Sequence, residues 1–165
     1  MNKWGPVIAI VVVAGCSSSA KSTTTKPTTT TTTIATTTTV AGPTVKQLAS
    51  IIAGERGGII EKADSVADGC VIDCTAIAAL DAQTMGLRSL TLEIKLKAAL
   101  AAGPAPGEIS VLVDETITQL HDTYNKGDAI RACGATCGPL AVEAVHGSAQ
   151  DVKSRLAAWA PYIGA

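Results

Sequence analysis

Apolar residues recur at helical steps through most of this chain. Val45, Leu48, Ile52, Ile59, Ala63 and Val66 follow one another at three- and four-residue intervals or their multiples, the period of one helix face. Thr44 with Gln47 three residues on has the form of a capping box, so the spacing predicts a first helix starting there. Gly54, Gly57 and Gly58 fall inside it and predict a bend or a close contact with a neighbour. A second helix is predicted from Thr75 to Ala102, stopped by Gly103-Pro104-Ala105-Pro106-Gly107. The clearest stripe is Ile109, Leu112, Val113, Thr116, Ile117, Leu120 and Tyr124, with a stop expected at Asn125-Lys126-Gly127. A fourth helix is predicted from Gly138-Pro139, with Pro at a first-turn position. Its stripe is Val145, Ala149, Val152, Leu156 and Trp159; a break and fresh cap are expected at Gly147-Ser148, and Pro161 ends it.

One segment carries the other period. Leu90, Leu92, Ile94 and Leu96 alternate with polar residues, as in a strand. Ile109, Val111 and Val113 also alternate, so a hairpin across the Pro-Gly stretch competes with helix. The alanines at 98, 99, 101 and 102 and the Glu93–Lys97 pair at i,i+4 favour helix. The fold expected for residues 45–165 is therefore all-α, a small bundle of about four helices built from helical hairpins.

Before residue 45 the pattern changes twice. Residues 17–44 are almost wholly Thr, Ser, Pro, Ala and Lys, with an unbroken threonine run from Thr28 to Thr33. Such a stretch buries too little to offset its ordering entropy, and a disordered tether is expected. Ahead of it, Lys3 precedes a short apolar run from Trp4 to Ala14. That run is about eleven residues, against roughly twenty needed to span a bilayer. It closes on Val13-Ala14-Gly15-Cys16. A basic start, a short apolar centre and small residues before the cut describe a cleavable signal. The motif resembles the lipobox of bacterial lipoproteins. The resemblance implies removal of residues 1–15, a lipid such as palmitate on Cys16, and a tether over residues 16–44. It also implies anchoring at the extracytoplasmic face of a cell membrane. The Thr-rich stalk is similar in composition to those of high-GC Gram-positive bacteria and their phages.

Composition narrows the rest. The chain has no Phe, so the core must be Leu, Ile, Val and Ala, which suits closely packed helices. Lys3, Lys21 and Lys26 precede residue 45, which leaves ten of the 13 basic residues against all 14 acidic ones, a formal −4. That balance argues against nucleic acid, where a basic face is expected.

Four cysteines remain, Cys70 and Cys74 in one C-x3-C pair and Cys133 and Cys137 in another. In an exported domain an even count implies disulfides. The pairs fall before the second helix and after the third, at one end of a hairpin. Bridges between pairs, such as Cys70–Cys137 with Cys74–Cys133, close long loops worth about 4 kcal/mol, against about 2 for a local bridge. The expectation leans to bridges between pairs, with Cys70–Cys74 and Cys133–Cys137 as the rival. Four thiolates also satisfy a structural zinc site, but export to an oxidising compartment argues against one.

No catalytic constellation is evident. His121 and His146 lack an H-x3-H or H-E-x-x-H partner and are expected at the surface, and no nucleophile elbow or phosphate loop is present. Asp114 and Glu115 suit the start of a helix. No cofactor, no metal and no enzymatic activity are expected. The reading is a membrane-anchored envelope lipoprotein presenting a non-catalytic helical domain to an envelope protein or polymer. Phage-encoded exclusion of a second infection is one form this would take. The alternative is a carrier of a small apolar ligand, with a cavity lined by residues such as Leu112, Ile117 and Leu156.

Overall fold

The structure, a computed structural model, describes residues 41–71, 73–133 and 137–164. The signal segment, Cys16 and the tether expected over residues 16–44 lie outside these residues, save for 41–44. Four helices follow: α1 (Val45–Gly69), α2 (Ala76–Leu100), α3 (Ser110–Cys133) and α4 (Pro139–Ala157). No strand occurs among the described residues, and the alternating segment 90–97 is helical. Short loops force each helix to run back along its predecessor. Side-chain pairs record this: Glu55 meets Lys95 while Lys62 meets Asp81, so numbers rise on α1 as they fall on α2. α1 packs on α2 and α4, and α3 packs on the same two helices, which closes a four-membered ring.

The helix ends follow the local code. Thr44 and Gln47 form the reciprocal capping box, Thr75 Oγ1 accepts from the Ala78 amide at 3.1 Å, and Pro139 occupies the first turn of α4. The core takes Leu48, Ile52, Ile59 and Val66 from α1, Met85, Leu92 and Leu96 from α2, and Leu120 and Ile130 from α3. Val145, Val152 and Leu156 of α4 and Trp159 beyond it complete the core.

Of three sequence expectations, the first holds at one residue, where Gly58 meets α2 closely, and the other two need correction. α1 runs unbroken through Gly54, Gly57 and Gly58. The first two face open space and carry no contact, and Gly58 lies under the Arg88 guanidinium. α3 does not stop at Asn125-Lys126-Gly127 but continues to Cys133. Gly127 is buried there, and a Cβ on it would lie 2.6 Å from the Ala82 carbonyl oxygen and 3.2 Å from Gly86 Cα. Its missing side chain lets two helix backbones touch, so it is a packing residue and not a terminator. α4 likewise runs through Gly147-Ser148. Ser148 is buried and donates to Thr123 Oγ1 at 3.1 Å, so its hydroxyl bonds across helices instead of capping one.

Candidate functional site

Both cysteine pairs lie at one end of the bundle, as the hairpin topology requires, but the bridges are local. Cys70 pairs with Cys74 and Cys133 with Cys137. The expected bridges between pairs are not formed. The reason is the geometry of reversal. Each pair flanks a reversal between antiparallel helices, and its own two cysteines stand at Cα separations of 4.1 and 5.0 Å. A disulfide needs that proximity first, and loop entropy ranks only pairings that geometry permits. Each bridge clamps a helix end to the next helix start. Cys70 is the C-cap of α1 and Cys74 precedes the Thr75 N-cap of α2; Cys133 ends α3 and Cys137 precedes the Gly138 N-cap of α4. With the sulfurs joined in pairs, none of these four is a thiolate ligand.

His146 ties α4 to the first stapled loop. It lies on α4, half-buried, with Nδ1 2.9 Å from the Cys70 carbonyl oxygen. A carbonyl only accepts, so Nδ1 carries the hydrogen. Beside it lies an open depression of about 410 Å³ lined by Val71, Pro139, Glu143 and His146. Val71 is 70% exposed and Leu140 is 82% exposed. This end thus combines two large apolar side chains in solvent, one imidazole and one carboxylate. α1 spans about 37 Å at 1.5 Å per residue, so the stapled end sits that far along α1 from Thr44, where residues 16–44 join.

His121 is the other histidine. Its side chain is largely exposed on α3, as expected for the rim, and Nδ1 lies 3.2 Å from Glu93 Oε2. Glu93, buried on α2, also accepts from Lys97 Nζ at 2.6 Å. The expected Glu93–Lys97 pair therefore forms, inside a three-member cluster linking α2 to α3. Asp114 and Glu115 do not begin α3 as expected; they lie past its first turn, which holds no acidic residue, and Glu115 pairs with Arg155 of α4. Lys62 bridges Glu61 and Asp81. Hydrogen bonds from Ser65 and then Lys62 hold the Asp81 carboxyl below the usual carboxylate range. The bond to Asp81, helped by Glu61, raises Lys62 above the ordinary lysine value. These are structural ion pairs on helix faces. Among the described residues no cluster of His, Cys, Asp and Glu is arranged to hold a metal.

The residues named for a ligand cavity have other surroundings. Leu156 is fully buried in the core, and Leu112 and Ile117 are half-buried against it. Sequence reasoning missed a second set of polar contacts, between α3 and the α4 end. Trp159 Nε1 donates to Thr116 Oγ1 at 2.9 Å. The Thr116 hydroxyl in turn donates to the Leu112 carbonyl, and that of Thr123 to the Gln119 carbonyl. The two threonines are seven residues apart on a buried stripe. That spacing was the available signal.

No family model, no curated protein and no solved structure matches this chain.

Proposed function

We propose that this protein is a membrane-anchored envelope lipoprotein whose helical domain binds a macromolecular partner, an envelope protein or polymer, without catalysis. Residues 1–15 are the signal that is removed, Cys16 carries the lipid, and residues 16–44 tether the domain to the extracytoplasmic face of the membrane. The observation that carries this reading is Val13-Ala14-Gly15-Cys16 closing a short apolar run and followed directly by a Thr/Ser/Pro-rich stretch. One acyl chain holds a protein only marginally and two or three hold it firmly, so lipidation at Cys16 suffices as an anchor. Two disulfides fit an oxidising compartment outside the cytoplasm. The stapled end, with exposed Val71 and Leu140 on a rigid base, is the surface offered to the partner. The acidic balance of residues 45–165 makes nucleic acid a poor ligand. A phage-borne copy would use the same design to exclude a second infection, by occupying a membrane component at the cell surface.

The test is Cys16→Ser in cells fed a fatty acid that can be tagged after extraction. The native chain should take up the label and partition with the membrane. The variant should lose the label and appear in the soluble exported fraction. Unchanged label and partitioning in the variant would remove the anchor, and with it this reading.

A further inference from the structure

The outer face of α2 is patterned for a partner helix. Ile77, Leu80, Leu87 and Ile94 are 72%, 61%, 60% and 58% exposed. Thr84 and Thr91 lie between them, and together these six residues step along the helix by three, four, three, four and three. That is the a/d spacing of a helix-pairing seam. It stands on the side of α2 opposite to Ala78, Ala82, Met85, Leu92 and Leu96, which fill the core. α2 is thus apolar on two faces, and one ring of four helices can bury only the first. The threonines do not spoil the seam. Thr84 Oγ1 donates to the Leu80 carbonyl and Thr91 Oγ1 to the Leu87 carbonyl, each at 2.9 Å, so both hydroxyls are satisfied within the helix.

We infer that this seam is a homodimer interface, in which α2 pairs antiparallel with α2 of a second copy about a two-fold axis near residues 85 and 86. Helix pairing accounts for a heptad step on a face that the monomer leaves in solvent, and the order of residues along the seam fits its own reverse. In that register Ile77 meets Ile94 of the second copy, Leu80 meets Thr91, and Thr84 meets Leu87. Every threonine then faces a leucine, and no two large side chains collide at the axis. The charges agree. Arg88 borders the seam on its α1 side, above Gly58. Antiparallel pairing sets it against the Glu61–Lys62–Asp81 cluster of the second copy, which carries one net negative charge. Symmetry makes that attraction twice. Parallel pairing would set Arg88 against Gln83 and Lys95 against Leu90, with no opposite charges in register. A two-fold interface uses one patch twice, and this patch is complementary to itself. The inference stands apart from lipidation and from the partner at the stapled end.

The full chain, purified in detergent, provides the test by sedimentation. The native protein should sediment as a dimer. Leu87→Glu places two carboxylates beside the axis and should raise the dissociation constant at least tenfold, about 1.4 kcal/mol. Thr91→Lys, a wholly surface change, should act in the same direction and guards against misfolding of the first variant. Gln150→Glu, exposed on α4 across the ring from α2, should leave the dimer intact. A photo-crosslinking residue at position 77 should join the peptide containing Ile94, not its own counterpart. A monomeric native chain, equal dissociation by Gln150→Glu, or a 77-to-77 link would each overturn the proposal.

Discussion

The pair α1–α2 and the pair α3–α4 are built from similar stripes but held by different contacts. Between α1 and α2 the core is aliphatic, with Leu48, Ile52 and Ile59 facing Met85, Leu92 and Leu96, and the polar bonds lie at the rim as Lys62–Asp81 and Lys95–Glu55. Between α3 and α4 hydroxyls enter the interior. Thr116 and Thr123 each send a hydrogen back to their own helix and accept one from the other, from Trp159 and Ser148 respectively. An aliphatic interface is non-directional and tolerates sliding, whereas each interior hydrogen bond has one geometry. Each pair has its own loop disulfide; beyond that, the second is fixed in register by two polar pins and the first by volume.

Removing the larger pin should have the largest effect. Trp159 is fully buried, donates to Thr116 Oγ1, and meets the Tyr162 ring edge-on at 6.1 Å. Trp159→Ala should cost about 3–5 kcal/mol in urea unfolding, from lost burial and the cavity left behind. Trp159→Phe keeps most of the volume and strands the Thr116 acceptor, and should cost about 1–3 kcal/mol. Equal losses for the two variants would show that the hydrogen bond, not the volume, fixes this end.

The next effect comes where α3 crosses α2. Gly127→Ala gains up to about 1 kcal/mol of helix propensity, yet it sets a methyl group 2.6 Å from the Ala82 carbonyl oxygen. Backbone cannot rotate aside as a flexible side chain can, so the overpacking cost of about 1–3 kcal/mol should win. A lowered midpoint in chemical unfolding is expected, and a raised one would mean that the helices separate at no cost.

These contacts also mark where the sequence was legible. Helix number, order and starts were readable because they follow from stripe spacing and from residues such as Thr44, Gln47, Thr75 and Pro139, which act within one turn. The stops predicted at Gly127 and Gly147-Ser148 failed for one shared reason. Glycine and serine carry the same letters whether they end a helix or let another approach, and only the neighbour decides. Gly127 needs Ala82 and Gly86, 45 and 41 residues away, and Ser148 needs Thr123. The disulfide pairing failed similarly. Loop entropy is computable from sequence, but the approach of Cys70 to Cys74 depends on how tightly the loop turns. Of the candidate site, the cysteines and both histidines were legible as residues. The bond from His146 to the Cys70 carbonyl was not, since seventy-six positions separate them. The exposed heptad on α2 was present in the letters, but periodicity alone cannot tell an outer seam from a core stripe.

The smallest predicted effect separates the two kinds of glycine. Gly57 lies mid-helix in α1, exposed, with nothing within 4 Å of where a Cβ would stand. Here propensity has no opponent. Gly57→Ala loses less backbone entropy on folding and should raise stability by roughly 0.5–1 kcal/mol. The same substitution thus changes sign between α1 and α3, and the sign is set by the distance from one methyl group to the nearest backbone atom. Thermal unfolding of the two single variants and of the double variant measures this directly. The sites lie on helices that occupy opposite positions in the ring, so their effects should add. If Gly57→Ala also destabilises, α1 bends at its glycines in solution, and the face it lends to Lys62 and Asp81 depends on that bend.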